Sequence, residues 1–515
     1  MRALREVFAP IGEFMRRTLF STALAAALVT TLLAGCGSTV INPVTGQAER
    51  SVLDEGAEIA LGKKEHAEVL KEYQPYKNPA VQAYVNDLGQ RLAAQSHRKE
   101  LQWHFTVLDS PEINAFALPG GYVYVTRGIM AYMGDEADLA GVIGHEIGHV
   151  TARHGAQRAT KQQDAGLGVF AATILGVLAE SQGVTGAGRL AGDLSQTVAA
   201  GFIASYGREQ ELQADGLGAE YLSRVRYDPR NMINVINVLK DQERFAADQA
   251  QAEGRPAPSR GDWLASHPSN DQRLQMITQL ANQYNKGNYG DEGRARYLKV
   301  LQGVPFGDGV EQGFVRGRNF YHVPLGFALT APVGWQVQND ADRLTLINTA
   351  RDAALVVMVA PPKAGSTHAD IFRNVFKPTQ VRSEPTTLNA LQATRFVGVR
   401  RNAQGQSLSI EATVVTGPKD TNYLLVYNAK NAQAMQAAKG ALREAEGSFR
   451  ALTAQDQAAA KPWVIKTVPY PKGGFAELAK SSPIANPEKQ LRLINGFYSG
   501  GEPPVGQLVK VVDAP

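Results

Sequence analysis

The sequence predicts a protein of the α+β class, on three observations. Apolar residues recur at helical spacing over residues 55–72, 79–95 and 135–154. Short runs rich in β-branched and aromatic residues, bounded by Gly and Pro, gather ahead of residue 127 and again between Gly317 and Phe449. The chain, at 515 residues, is too long for one core, so two to four domains are expected. Its 44% hydrophobic and 20% charged residues are those of a globular protein. The net charge of +4 and the lack of a Lys/Arg block argue against a nucleic-acid partner.

Residues 1–35 read as an export signal. Arg16 and Arg17 precede the apolar run Leu19–Leu33, which is short for a membrane span. Ala34 and Gly35 then lead to Cys36, the only cysteine, which leaves none for a disulfide. Leu33-Ala34-Gly35-Cys36 resembles the lipobox of bacterial lipoproteins. That resemblance implies lipidation of Cys36 after cleavage, and Gly37 behind it implies the outer membrane. Several acyl chains on one residue meet the two-signal requirement for stable anchoring. Residues 36–54, with Asn42-Pro43-Val44-Thr45-Gly46, read as a tether.

Residues 55–300 form the first expected domain. After two helices, Trp103–Leu108 is a strand candidate. Asn114–Leu118 and Tyr122–Thr126 make a hairpin turned by Pro119-Gly120-Gly121. Such a hairpin offers a backbone edge on which an extended peptide can pair, with Asn114, Ala115 and Phe116 as candidate substrate contacts. The next helix begins at the N-cap candidate Asp135 and carries Gly144-His145-Glu146-Ile147-Gly148-His149. Two histidines four apart on a helix present both imidazoles to one point. The H-E-x-x-H pattern pairs them as zinc ligands, with the glutamate handling a proton. His154, five residues on, is expected at the surface or behind the ligands. The apolar run 166–178 is too short to cross a bilayer and reads as a buried helix.

About sixty residues after His149, Glu211 and Asp215 stand four apart on another helix. One carboxylate can be the third protein ligand, leaving the fourth position open for water. The other can hold the outer nitrogen of a liganding imidazole.

Together, His145-Glu146-x-x-His149, Glu211-x-x-Ala214-Asp215 and Asn114–Gly121 resemble the M48 peptidase family, in its exported, BepA-like branch. The resemblance covers roughly residues 40–290. It implies a mainly helical, gluzincin-type metalloprotease domain with a small sheet and one zinc ion per chain. The metal would lie on His145, His149 and Glu211, with Glu146 as catalytic base and Asp215 as the residue orienting a ligand. A His-Pro pair in that branch reaches the metal or the substrate, and His267-Pro268, followed by Arg273, matches it. The sequence lacks the multiple long apolar helices of the integral-membrane branch, and beyond Tyr284 no tetratricopeptide-type repeat is read.

Residues 315–450 alternate as strands, with a helix over 431–444, and are expected to form an α+β accessory domain without a catalytic constellation. Residues 462–515 resemble a divergent LysM-like module, a fold associated with glycan binding; a plain β-α-β cap fits as well. The expected function is a lipid-anchored zinc endopeptidase of the bacterial envelope, facing the periplasm from the outer membrane. Unfolded or misassembled envelope proteins would be its substrates, and peptidoglycan is a further candidate partner. The rival reading is a lipid-anchored chaperone or scaffold with little proteolytic turnover.

Overall fold

The computed structural model describes residues 38–164, 206–252, 267, 271–285, 287, 289–340, 343–401 and 407–514. The export segment with Cys36 and the apolar run 166–178 lie outside the described residues. Among the described residues, no helix is long and apolar enough to cross a membrane.

The stretch expected as a tether is a hairpin. Strand β1 (Ser38–Ile41) pairs antiparallel with β2 (Ala48–Ser51). Asn42 makes the turn: its side-chain oxygen accepts from the amides of Val44 and Thr45, and its Nδ2 donates to the carbonyl of Ala152. That last bond ties the hairpin to a residue 110 positions away, which local composition does not signal.

Helix α1 (Glu55–Glu72) is capped by Asp54, and α2 (Pro79–Ala93) by Asn78 with Pro79 in its first turn. Strands β3 (His104–Leu108), β4 (Ala115–Leu118) and β5 (Tyr122–Thr126) form a sheet of order β3-β5-β4. In it β3 runs parallel to β5, and β4 runs antiparallel. Gly120 and Gly121 turn the hairpin with φ of +81° and +96°. Alternation along β5 sends Val123 and Val125 into the main core, and Tyr122 and Tyr124 toward α1. The helix lies directly on the turn, since a Cβ on Gly62 would fall 1.9 Å from the Pro119 carbonyl oxygen.

Helix α3 (Arg127–Tyr132) leads into α4 (Glu136–Thr151), whose cap is Asp135, accepting from the amide of Asp138. Every residue of α4 is buried. The helix ends before the position its sequence suggests, because Arg153 takes a φ of +60° and α5 (His154–Asp164) starts anew. Helices α6 (Arg208–Arg224) and α7 (Asn231–Ala252) pack on α4, and α8 (Asp271–Tyr284) on α6. Helix α9 (Arg294–Leu301) closes the layer, with the Tyr297 hydroxyl donating to the carbonyl of Met130.

Strand β6 (Pro305–Phe306) leaves this unit. Strands β7 (Phe314–Arg316), β8 (Asn319–His322) and β9 (Phe327–Thr330) begin a small sheet. Seven strands then build an antiparallel sheet: β10 (Gln336–Asn339), β11 (Leu344–Ile347), β12 (Ala353–Val359), β13 (Gln380–Leu388), β14 (Leu391–Arg401), β15 (Ser407–Thr416) and β16 (Asn422–Ala429). Their order is β10-β11-β12-β16-β15-β14-β13. Helix α10 (His368–Phe376) packs Ile371 and Phe372 on one face, against Phe396, Val414 and Leu424. Helix α11 (Ala432–Gly447) packs Leu442 and Ala445 on the other, against Leu355 and Leu425.

Strand β17 (Arg450–Ala451) pairs with β9, and α12 (Ala454–Ala459) leads to the last segment. There β18 (Trp463–Pro469), α13 (Gly474–Ala479), α14 (Pro487–Ile494) and β19 (Leu508–Asp513) follow in order, one helix more than a β-α-β cap. Strand β18 pairs antiparallel with both β19 and β6. Ile465, Leu491, Ile494 and Val512 join the same apolar core as α2 and α4. Lys510 is fully buried, and its ammonium donates to the carbonyls of Ala131 at 2.7 Å and Met133 at 2.6 Å. Burial brings its pKa down to about 7. The end of the chain is thus bolted to the entrance of α4.

Candidate metal centre

Helix α4 brings His145 and His149 to one face, one turn apart. On the neighbouring face the helix is bare. A Cβ on Gly148 would lie 3.1 Å from both Cα and O of Ala214, and one on Gly144 would lie 3.3 Å from the Cα of Gly218. Small residues on both helices let the backbones of α4 and α6 nearly touch. This close approach delivers Glu211 and Asp215, from the first half of α6, to the histidines.

The donor atoms converge. His145 Nε2 lies 3.0 Å from His149 Nε2 and 3.2 Å from His267 Nδ1. Glu211 Oε1 lies 2.9 Å from His267 Nδ1 and 3.5 Å from His149 Nε2, and Oε2 lies 3.7 Å from His145 Nε2. A tetrahedral ion bonded at about 2.0–2.1 Å separates its ligand atoms by roughly 3.3 Å, a value these separations bracket. All four residues are buried, and among the described residues no other group of metal-ligating side chains converges in this way. Burial lowers the pKa of His145 and His149, and that of His267 to about 3, so the imidazoles are neutral with lone pairs to give. Burial also pushes Glu211 up to about 7, so a proton competes for the same carboxylate. The residues present therefore fit a metal ion. Glu146 is fully buried beside them, with Oε1 3.5 Å from His267 Nε2.

Each of these side chains is held from behind. His145 Nδ1 lies 2.9 Å from Asp215 Oδ1, which leaves Nε2 free of a proton for the ion. Arg273 grips Asp215 with two bonds, from Nε at 2.9 Å and a terminal nitrogen at 2.8 Å. The same guanidinium donates to the His267 carbonyl and lies 3.1 Å from Glu211 Oε2. Burial would raise the Asp215 carboxyl, yet Arg273 and His145 hold it well below the usual carboxylate range.

His154, left between surface and support by the sequence, is buried behind His149. Its Nδ1 lies 2.8 Å from His149 Nδ1, and its Nε2 lies 2.9 Å from Gln213 Oε1. With Nε2–H donated to Gln213, His154 Nδ1 must accept the proton of His149 Nδ1, which again bares the ligand's Nε2. Tyr206, a residue the sequence reading did not single out, stacks on His149 with ring centroids 3.9 Å apart.

Of the substrate-contact candidates, Asn114 immediately precedes β4, and Ala115 and Phe116 open it; β4 is an outer strand of its sheet. Asn114 is buried with its side-chain oxygen unbonded, and Ala115 is fully buried. Phe116 stacks on Tyr124 at 4.7 Å and packs against Tyr73, so its ring belongs to the core. Further along β4, Ala117 and Leu118 share a small cleft with His149 and Tyr206.

An H-E-x-x-H helix joined by a carboxylate from a later helix is the arrangement found in metallopeptidase domains. Residues 79–281 match the model of peptidase family M48. It is 30% identical over 246 residues to the beta-barrel assembly-enhancing protease of Yersinia pestis, covering 47% of each chain. With the protein of that name from Escherichia coli K12 it shares 28% over 293 residues, 51% of this chain and 59% of the relative. With the mitochondrial metalloendopeptidase OMA1 of Arabidopsis thaliana it shares 31% over 188 residues, 36% of this chain and 33% of the relative. The chain thus spans about half the length of the bacterial relatives it matches.

Proposed function

We propose that this chain is a zinc-dependent endopeptidase of the bacterial envelope that cleaves misfolded or misassembled outer-membrane proteins. The convergence of His145, His149 and Glu211 on one point, with Glu146 buried alongside, carries the reading. The similarity to proteases named for β-barrel assembly supports the substrate class, and the lipobox-like run ending at Cys36 supports a lipid anchor facing the periplasm.

His145, His149 and Glu211 would hold the ion, the thiolate-free donor set of a catalytic zinc site. When bound, zinc supplies Lewis acidity toward a water and the scissile carbonyl. Glu146 takes the proton of the attacking water and returns it to the departing amine. Asp215, clamped by Arg273, fixes the tautomer of His145; His154 does the same for His149. His267, with Nδ1 3.2 Å from His145 Nε2 and 2.9 Å from Glu211 Oε1, would offer the ion a further donor and would give up that place to substrate.

The test uses purified protein with equal zinc content and an unfolded outer-membrane protein as substrate. Glu146→Gln should lower turnover by about 10²–10⁴-fold, the usual worth of a general base. Turnover that survives the change, or that persists without zinc, overturns the reading. Envelope function unaffected by Glu146→Gln would favour the scaffold instead.

A further inference from the structure

Away from the metal centre, a cleft of about 640 Å³ opens between the peptidase unit and the accessory sheet. Its floor is apolar, formed by Phe320, Phe327, Leu344, Val357 and Tyr423 at the margin of the accessory core. Around that floor stand six carboxylates: Glu72, Asp109 and Glu112 from the peptidase side, and Asp308, Glu311 and Asp340 from the other. One guanidinium, Arg343, shares the lining. From outside the cleft, Arg127 pairs with Asp109 at 2.6 Å, Lys77 pairs with Glu311 at 3.3 Å and Arg316 acts on Asp308, so with Arg343 the six carboxylates outnumber four cations.

The carboxylates do not make an ion cage, since the only converging metal-ligating group among the described residues is the one on α4 and α6. Dispersed negative charge above an apolar floor suits an extended polycation with aliphatic or aromatic side chains, not a bare ion. Glu112 precedes β4, whose far end at Ala117 and Leu118 borders His149.

We propose that this acidic, apolar-floored cleft between the two units is an exosite for a cationic, hydrophobic segment of the substrate. The site rests on the peptidase reading for its purpose but not for its binding chemistry. Held there, a basic-apolar segment would be selected by charge before its neighbour reaches Glu146.

Binding is measured with the full-length, zinc-loaded Glu146→Gln protein, by fluorescence anisotropy of two labelled dodecapeptides, one alternating Lys and Leu, the other Glu and Leu. The Lys/Leu peptide should bind at least tenfold more tightly. Reversing two exposed rim charges, in Glu72→Lys with Asp340→Lys, should erase that preference. Equal affinity for the two peptides, or an undiminished preference in the double variant, overturns the proposal, and the peptide comparison needs no variant of the cleft to fold. Because no cleavage is read, charge-selective binding by a chain that hydrolyses nothing keeps the exosite and defeats the peptidase reading. Cleavage without charge preference does the reverse.

Discussion

Replacing Gly148 tests whether the near-contact of α4 and α6 builds the metal centre. A Cβ at this position would stand 3.1 Å from Ala214 Cα and O and 3.2 Å from Leu217 Cβ. Carbon atoms rest comfortably at about 3.5–4.0 Å, so Gly148→Ala requires the helices to part by roughly 0.5 Å. Gly148→Val adds two methyl groups and demands several times that. Overpacking of this kind costs about 1–3 kcal/mol. Glu211 sits one turn before Ala214 and moves with it, while ligand distances tolerate only about 0.2 Å. If the strain is relieved by releasing Glu211, zinc affinity falls by about ten- to a hundredfold, more for Val than for Ala. Competition with a chromophoric chelator reads the affinity, and thermal unfolding of the metal-free protein reads the packing cost separately. A Gly148→Val protein that binds zinc within threefold of the parent would refute the reasoning.

Three other outcomes follow from the structure. Asp215→Asn keeps the shape but loses the charge that orients His145, so zinc affinity should drop by about 10–100-fold, read by the same competition; unchanged affinity would remove Asp215 from the site. Lys510→Ala leaves the carbonyls of Ala131 and Met133 buried without their donor, at a cost of about 2–4 kcal/mol, visible as a lower urea midpoint for the peptidase core; a midpoint shared with the parent would mean the terminal segment is not bolted on. Burial would raise Glu136, but Arg296, Tyr227, Tyr84 and Arg91 bring it down to about 2 from an ordinary 4.5. A carboxylate depressed on folding stabilises fully above its unfolded pKa and stops doing so as pH falls through the folded one. The stability gap between parent and Glu136→Gln, about 2–3 kcal/mol near neutrality, should therefore shrink as pH drops from 5 toward 2; a gap constant with pH would contradict it.

Much of the site was legible because its residues repeat at helical spacing. His145 with His149, and Glu211 with Asp215, each fall on one helix face, and the structure joins these two faces. The strands 115–118 and 122–126 were legible from their Pro-Gly-Gly turn. What brings the two helices together was not read, although Gly144, Gly148, Ala214 and Gly218 are plain in the sequence: small residues matter here through what they allow across the chain, which no local pattern encodes. His154 was hidden because five residues along one helix would point it away, and only the break at Arg153 turns it behind His149. Asn42 and Lys510 escaped notice for the same reason, since each bonds a carbonyl more than a hundred residues distant. Those contacts turn an expected tether and a terminal module into parts of the peptidase core.

X-ray absorption at the zinc edge, on the purified parent and on His267→Ala, tests the centre most directly. The parent should hold one zinc per chain in a shell of four nitrogen and oxygen ligands supplied by the protein, and His267→Ala should exchange one of them for water while keeping the metal. A chain that takes up no zinc, or a shell that loses nothing when Glu211 is replaced by Gln, would mean the two helices meet for some other purpose.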